Sequence, residues 1–202
     1  IYLESNKKIY MPKHIGFKRF GEPDKIKLTK GIEIDLKFKG SLRDKQTPIV
    51  KAFLDSCDEG SMINKTKGGI ISVPCGWGKT IMALYLISKL KRKTMIIVHK
   101  EFLLNQWIKR IEEFLPEARV GIIQASKVDY QNKDIVIGML QSLSSKEYDV
   151  DKVFGDFGFT VVDECHHIAA EVFSRSLPKV NSYFSLGLSA TPKRADGLSH
   201  VF

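Results

Sequence analysis

Ile70-Ile71-Ser72-Val73-Pro74-Cys75-Gly76-Trp77-Gly78-Lys79-Thr80-Ile81 is the stretch around which the rest of the chain is organised. An apolar run, Gly69–Val73, breaks at Pro74, passes a turn spaced by glycines and enters a helix at Lys79. Gly76 and Gly78 let the backbone fold tightly and turn several N–H groups inward. Such a row of amides at a helix start attracts phosphate, because unpaired N–H groups and the helix dipole both favour anions. Lys79 adds a mobile positive charge for the outer phosphates, and the Thr80 hydroxyl can ligate magnesium. Against the pattern G-x-x-x-x-G-K-[ST], Gly78, Lys79 and Thr80 are in place and Val73 stands at the first glycine. Taken alone, the stretch also reads as an ordinary glycine-rich turn between a strand and a helix.

From this loop onward the chain alternates. Strand Gly69–Val73 leads to helix Lys79–Leu90, and strand Thr94–Val98 leads to helix Glu101–Leu115. On the second helix Leu104, Trp107, Ile108, Ile111 and Phe114 recur at steps of three and four, which marks a buried stripe. Arg119–Ile123, Asp134–Ile137, Phe159–Val162 and Tyr183–Leu188 are further strands. Short β-branched runs between amphipathic helices predict an α/β fold, a mostly parallel sheet with helices on both faces. Ligands of such folds sit at the carboxyl ends of the strands, where the phosphate loop falls.

Upstream, residues 1–40 are basic and interrupted by Pro12, Gly16, Gly21, Pro23 and Gly31, so they read as an accessory segment of short strands and turns before a main domain at 41–202. Ile32, Ile34, Leu36 and Phe38 alternate with polar residues at the period of a half-buried strand. A helix is expected from Pro48 to Asp55. Just before it, Gln46 carries an acceptor and a donor that can pair with an adenine edge, or simply face water.

Asp163-Glu164-Cys165-His166-His167 follows strand Phe159–Val162. Two carboxylates at the end of a buried strand are costly unless they have partners or work. Asp163 is placed to hold magnesium, and Glu164 to orient and deprotonate a water attacking a γ-phosphate. The alternative is an acidic helix start stabilised by the dipole. Cys165, His166 and His167 are poorly spaced for one tetrahedral ion, so no zinc site is expected.

The composition bounds the class. The chain has 202 residues, 43% of them hydrophobic, with 32 Lys plus Arg against 23 Asp plus Glu and a net charge of +9. That excess suits a polyanionic partner. The longest apolar run, Ile81–Ile87, is too short to span a bilayer, so no membrane role is expected. Three cysteines without paired spacing fit a reducing intracellular compartment. The absence of an initial Met leads us to expect a piece of a longer protein.

P-C-G-W-G-K-T (Pro74–Thr80), D-E-C-H (Asp163–His166) and S-A-T-P (Ser189–Pro192), in this order, closely resemble the first RecA-like motor domain of superfamily-two helicases. The resemblance runs from about Leu42 to Leu198. L-R-D-K-Q, V-H-K-E-F-L-L-N-Q-W and L-S-A-T-P-K-R-A-D-G-L look most like the restriction-enzyme-motor and xeroderma pigmentosum group B type, a look shared by viral and phage helicases. The chain departs from the commonest pattern at Val73 and Trp77, and Lys45 stands where a Tyr is usual.

The resemblance implies an ATP-hydrolysing helicase or translocase on DNA or RNA, using ATP and Mg2+. Gln46 would sense adenine, and Pro74, Cys75, Gly76, Trp77, Gly78, Lys79 and Thr80 would bind the nucleotide. Asp163 and Thr80 would hold magnesium, and Glu164 would activate water. His166, Ser189, Ala190 and Thr191 would relay nucleotide state, and His99, Lys100, Gln141 and Ser142 would touch the nucleic-acid backbone. A second RecA-like domain with arginine fingers is expected as partner, so residues 1–202 alone should turn over ATP very slowly. Two alternatives share these residues: the motor of a restriction nuclease, and a nucleotide-switched binding module that does not unwind.

Overall fold

The computed structural model describes residues 3–5, 8–10, 16, 19–21, 24, 28–58, 67–167, 179–180 and 182–190. β1 (Leu3–Ser5) and β2 (Lys8–Tyr10) form a separate antiparallel pair. The main body follows as α1 (Thr47–Cys57), β3 (Gly68–Ser72), α2 (Lys79–Leu90), β4 (Thr94–Val98), α3 (Glu101–Phe114), β5 (Val120–Gln124) and β6 (Lys127–Val128). It continues with β7 (Ile135–Met139), α4 (Leu140–Ser145), α5 (Val150–Phe154), β8 (Phe159–Val162), a 3-10 turn at Cys165–His167 and β9 (Phe184–Ser189). The sheet order is β3-β9-β8-β4-β7-β5-β6, parallel throughout except for β6, which returns antiparallel on β5. The α/β architecture expected from the alternation is therefore present.

Alternation along the central strands builds two cores from one sheet. On β4, Ile96 and Val98 join the core under α1, α2 and α3, while Met95 and Ile97 join the one on the opposite face with Leu140, Leu143, Phe154 and Phe157. β7 divides the same way, Ile135 and Ile137 against Val136. Every residue of β4 and β7 is buried, as strands covered on both faces must be. On α3 the buried stripe is Leu103, Leu104, Trp107 and Ile111, each apolar side chain contributing roughly 1.5–3 kcal/mol when fully buried.

The alternating segment from Ile32 to Phe38 does not enter a sheet; its contact with Arg92 is a single bridge at Glu33. It runs instead as an extended strap over helix ends. Ile34 N–H donates to the Lys91 carbonyl at 3.1 Å and Lys39 N–H to that of Phe114 at 2.8 Å, using carbonyls that a helix end leaves unpaired. Ile34 and Leu36 are buried in the main core, and Phe38 stacks on Phe114 with ring centroids 5.5 Å apart. Residues 34–39 of the expected accessory segment thus pack against the main body. Among the described residues, no helix is long and apolar enough to cross a membrane.

Candidate nucleotide site

β3 and β9 are neighbours, so the start of the phosphate loop and the end of the last strand meet: Val73 N–H donates to the Ser189 carbonyl at 3.1 Å. The loop then turns through two left-handed glycines, Gly76 at φ +79° and Gly78 at φ +81°. Their constraints differ. A Cβ on Gly76 would meet nothing, whereas one on Gly78 would lie 2.5 Å from Gln46 Nε2. Gly78 is therefore required by both backbone conformation and space. α2 begins at Lys79, directly behind this turn.

Gln46 explains the close approach. Its side chain is 1% exposed; Oε1 accepts from Arg43 N–H at 2.9 Å, and Nε2 donates to the Trp77 carbonyl at 2.7 Å. The amide braces the loop, and an adenine edge would have to displace one of these bonds. Arg43 reaches the Gly76 carbonyl at 3.5 Å, and the Lys45 ammonium lies 4.2 Å from the Trp77 ring centroid, a cation–π contact. Arg43 and Lys45 thus join the loop's support; the sequence marks Lys45 only as a departure from the usual Tyr, because one-dimensional spacing does not place residues 43–46 beside residues 76–78.

At the carboxyl end of β8, burial gives the acidic pair its character. Lys79 is 9% exposed, with Nζ 3.4 Å from the Val73 carbonyl and 3.8 Å from Glu164 Oε1. Asp163 is 6% exposed; its Oδ2 accepts from Trp107 Nε1 at 2.8 Å and its Oδ1 from Glu164 N–H at 2.9 Å. Burial pushes the Asp163 carboxyl above its ordinary pKa; the Trp107 bond opposes this, while the charge of Glu164 adds to it. Glu164 takes a left-handed backbone, φ +46°, uncommon for a residue with a Cβ. Its Oε2 is buried without a hydrogen bond and lies 3.4 Å from His166 Nδ1, which in turn is 2.9 Å from Ser189 Oγ.

The structure thus gathers Gln46, the loop Pro74–Thr80, Asp163, Glu164, His166 and Ser189 at one edge of the sheet. Ala190 follows directly after β9; Thr191 lies outside the described residues. The donor set suits a magnesium-bound triphosphate: a lysine ammonium, a threonine hydroxyl, a buried carboxylate held by neutral donors, and a buried carboxylate oxygen with an unfilled acceptor site.

The proposed track residues divide. β4 and β7 pair with Val98 opposite Met139, so the segments after them are neighbours, and Gln141 Nε2 donates to the His99 carbonyl at 3.0 Å. Lys100 is exposed at the N-terminus of α3. Ser142 turns the other way: it is 8% exposed, and its hydroxyl accepts from Ala125 N–H at 2.9 Å. α4 begins at Leu140 and turns residue 142 inward, so the Ser142 hydroxyl, expected at a nucleic-acid backbone, lies against Ala125 in this structure. Trp107 was read from the sequence only as a core residue. The available signal was chemical, since a buried indole N–H needs an acceptor.

The family model described as the type III restriction enzyme res subunit matches residues 39–194, so the chain belongs to that family, and it is of the superfamily-two helicase type. It is 37% identical over 203 residues to a putative ATP-dependent RNA helicase of Acanthamoeba polyphaga mimivirus, covering 100% of this chain and 38% of that protein. A DNA 3'-5' translocase of Sulfurisphaera tokodaii is 32% identical over 167 residues, covering 83% of this chain and 34% of the relative. Among solved structures, the Sulfolobus solfataricus SWI2/SNF2 ATPase core in complex with dsDNA superposes with a TM-score of 0.66 at 18% identity, covering 86% of this chain and 37% of that one. The last comparison bears on fold alone and agrees with a RecA-like core. The chain spans little more than a third of the length of these relatives.

Proposed function

We propose that this chain is the ATP-binding motor domain of a nucleic-acid helicase or translocase, completed by a second RecA-like domain. The observation that carries the reading is Lys79 Nζ lying between the Val73 carbonyl and Glu164 Oε1, while Glu164 Oε2 lacks a hydrogen bond. In this reading the loop amides and Lys79 bind the outer phosphates, and Lys79 exchanges its two internal contacts for phosphate oxygens. Thr80 and Asp163 would hold Mg2+, which would supply positive charge to offset that of the phosphates. Glu164 orients the attacking water and takes its proton at Oε2. His166 and Ser189 carry the state of Glu164 to the end of β9. Gln46 reads adenine by giving up the Trp77 carbonyl. His99, Lys100 and Gln141 bind the DNA or RNA backbone.

Two variants of the full-length protein test these roles. Lys79→Ala should weaken nucleotide binding about 100-fold by titration with a fluorescent ADP analogue. Glu164→Gln should leave that affinity within about threefold and lower turnover about a thousandfold, because it keeps the shape and removes the base. The opposite pairing of effects would reject the assignment. The matching family's description also supports a second reading, a motor that serves a restriction nuclease. ATP-dependent cleavage of DNA by the full-length protein would favour it over unwinding alone.

A further inference from the structure

Trp107 is the one large aromatic of α3 whose polar atom meets the acidic pair. Its side chain is 1% exposed, and its Nε1–H donates to Asp163 Oδ2 at 2.8 Å. Both oxygens of Asp163 are thereby held, Oδ2 by the indole and Oδ1 by Glu164 N–H at 2.9 Å. The two donors are neutral. A lysine or arginine in the same place would neutralise the carboxylate and compete with a metal cation, whereas an N–H donor fixes the rotamer and leaves the negative charge in place. The second lone pair of each oxygen remains available for a metal ion or a water bound to it.

The position is also rigid. Trp107 lies mid-way along α3, on the buried stripe with Leu103, Leu104 and Ile111, so its indole cannot swing away without opening the core. The backbone on the other side of the contact is equally fixed, since Asp163 N–H extends the sheet register to the Ile97 carbonyl at 3.0 Å. Packing alone would be met by Phe or Leu at this site. The indole N–H adds a directed bond to a buried carboxylate, and such a bond has to be satisfied from both ends.

We infer that Trp107 is a positioning residue for magnesium, holding Asp163 in its metal-binding rotamer through the indole N–H. The inference rests on the reading of Asp163 as a magnesium ligand. It separates cleanly from the packing role because the five-membered ring of histidine places Nε2–H where the indole places Nε1–H. Trp107→Phe keeps an aromatic ring and loses the donor; Trp107→His loses the six-membered ring and keeps the donor.

The measurement is the affinity of the full-length protein for a fluorescent ADP analogue, in EDTA and in Mg2+. The ratio of the two dissociation constants reports the metal's contribution without requiring turnover. In Trp107→Phe that ratio should fall about tenfold relative to the unmodified protein, in line with loss of a hydrogen-bonding partner of a metal ligand, while affinity in EDTA is retained. In Trp107→His the ratio should stay within about threefold of the original at alkaline pH, where the imidazole is neutral, although this variant loses more packing. An unchanged ratio in the Phe variant, or equal losses in both, would overturn the inference. No magnesium effect in the unmodified protein would instead overturn the reading of Asp163. Should neither variant fold, the 15N–1H indole resonances of the unmodified protein decide, with the Trp107 signal assigned by through-space contacts to the methyl groups of Leu103, Leu104 and Ile111. The Trp107 signal should be protected from exchange and should shift when Mg2+ is added to the ADP-loaded protein; a signal insensitive to Mg2+ overturns the proposal.

Discussion

Two buried aspartates stand at opposite ends of the sheet, and their surroundings differ. Asp134 immediately precedes β7; Asp163 immediately follows β8. Asp134 is held by a two-pronged Arg119 side chain, with Nη2 2.7 Å from Oδ1 and Nε 3.0 Å from Oδ2, and by Arg119 N–H at 2.8 Å. Burial would raise its carboxyl, but these bonds and the positive charge of Arg119 outweigh burial and hold it below the ordinary carboxylate value. Asp163 receives hydrogen bonds from an indole and a backbone amide, and burial dominates, so its carboxyl is raised. The amino end of the sheet neutralises its buried charge internally. At the carboxyl end Lys79, 3.8 Å from Glu164 Oε1, offsets the buried charge only in part, and burial outweighs it at Asp163, at a cost to stability.

Breaking the satisfied end should have the larger effect on stability. Arg119→Ala removes the fork and leaves Asp134 buried with the backbone bond alone. We expect a loss of stability in urea unfolding at pH 7, kept below the full value of a buried pair because the arginine is largely exposed. Since Asp134 is depressed in the folded state, the stability it contributes is present above the ordinary carboxyl pKa and lost as pH falls through the folded value. Variant and parent should therefore converge in acid, with nucleotide affinity unchanged throughout. A loss that is independent of pH would show that Arg119 acts by packing rather than through Asp134.

Asp163→Asn tests the other end, with the opposite sign. A raised carboxyl contributes stability that is present below the ordinary value and lost as pH rises through the folded value. Removing its charge should raise stability at neutral pH, a gain reduced by the loss of one of two accepting oxygens, and the gain should vanish below about pH 4. The same variant should lose the tightening of ADP binding by Mg2+. Destabilisation at neutral pH would mean that the carboxylate is already compensated and the contrast between the two aspartates is misjudged.

The smallest effect is expected away from both. Lys100→Ala in the full-length protein should weaken binding of unrelated nucleic-acid sequences alike and reduce the salt slope of binding by about one unit. ADP affinity and stability should not move, because the lysine is exposed, with its ammonium 5.9 Å from the Phe102 ring centroid. An unchanged salt slope with unchanged affinity would place the track elsewhere on the domain.

The legible parts of the chain are those with a local cause. Thr94–Val98 and Phe159–Val162 read directly as strands and are β4 and β8. The strands expected at Arg119–Ile123 and Tyr183–Leu188 shift by one residue, to Val120–Gln124 and Phe184–Ser189, because ladder ends are set by the partner strand. Lys127–Val128, Leu140–Ser145 and Val150–Phe154 were not read, since elements of two to six residues are too short to show a full period. The strap was read as a strand from a true alternation. Its Ile34 and Leu36 are buried as expected, but the groups available to its backbone were helix-end carbonyls rather than a strand edge.

By itself the sequence determined the alternating α/β order, the glycine-spaced loop leading into the helix at Lys79, and the acidic pair at the end of a buried strand. Each is a pattern of neighbouring residues with its own chemistry, readable within a window of about a dozen positions. Tertiary structure alone decided that Gln46 braces the Trp77 carbonyl, that Ser142 faces Ala125, that Gln141 meets His99, and that Trp107 holds Asp163. Those contacts join residues 17 to 56 positions apart, and each depends on which strands lie side by side and on the direction a side chain takes from its helix. Sequence spacing carries the residue types; only the order of the sheet brings their polar atoms within bonding distance.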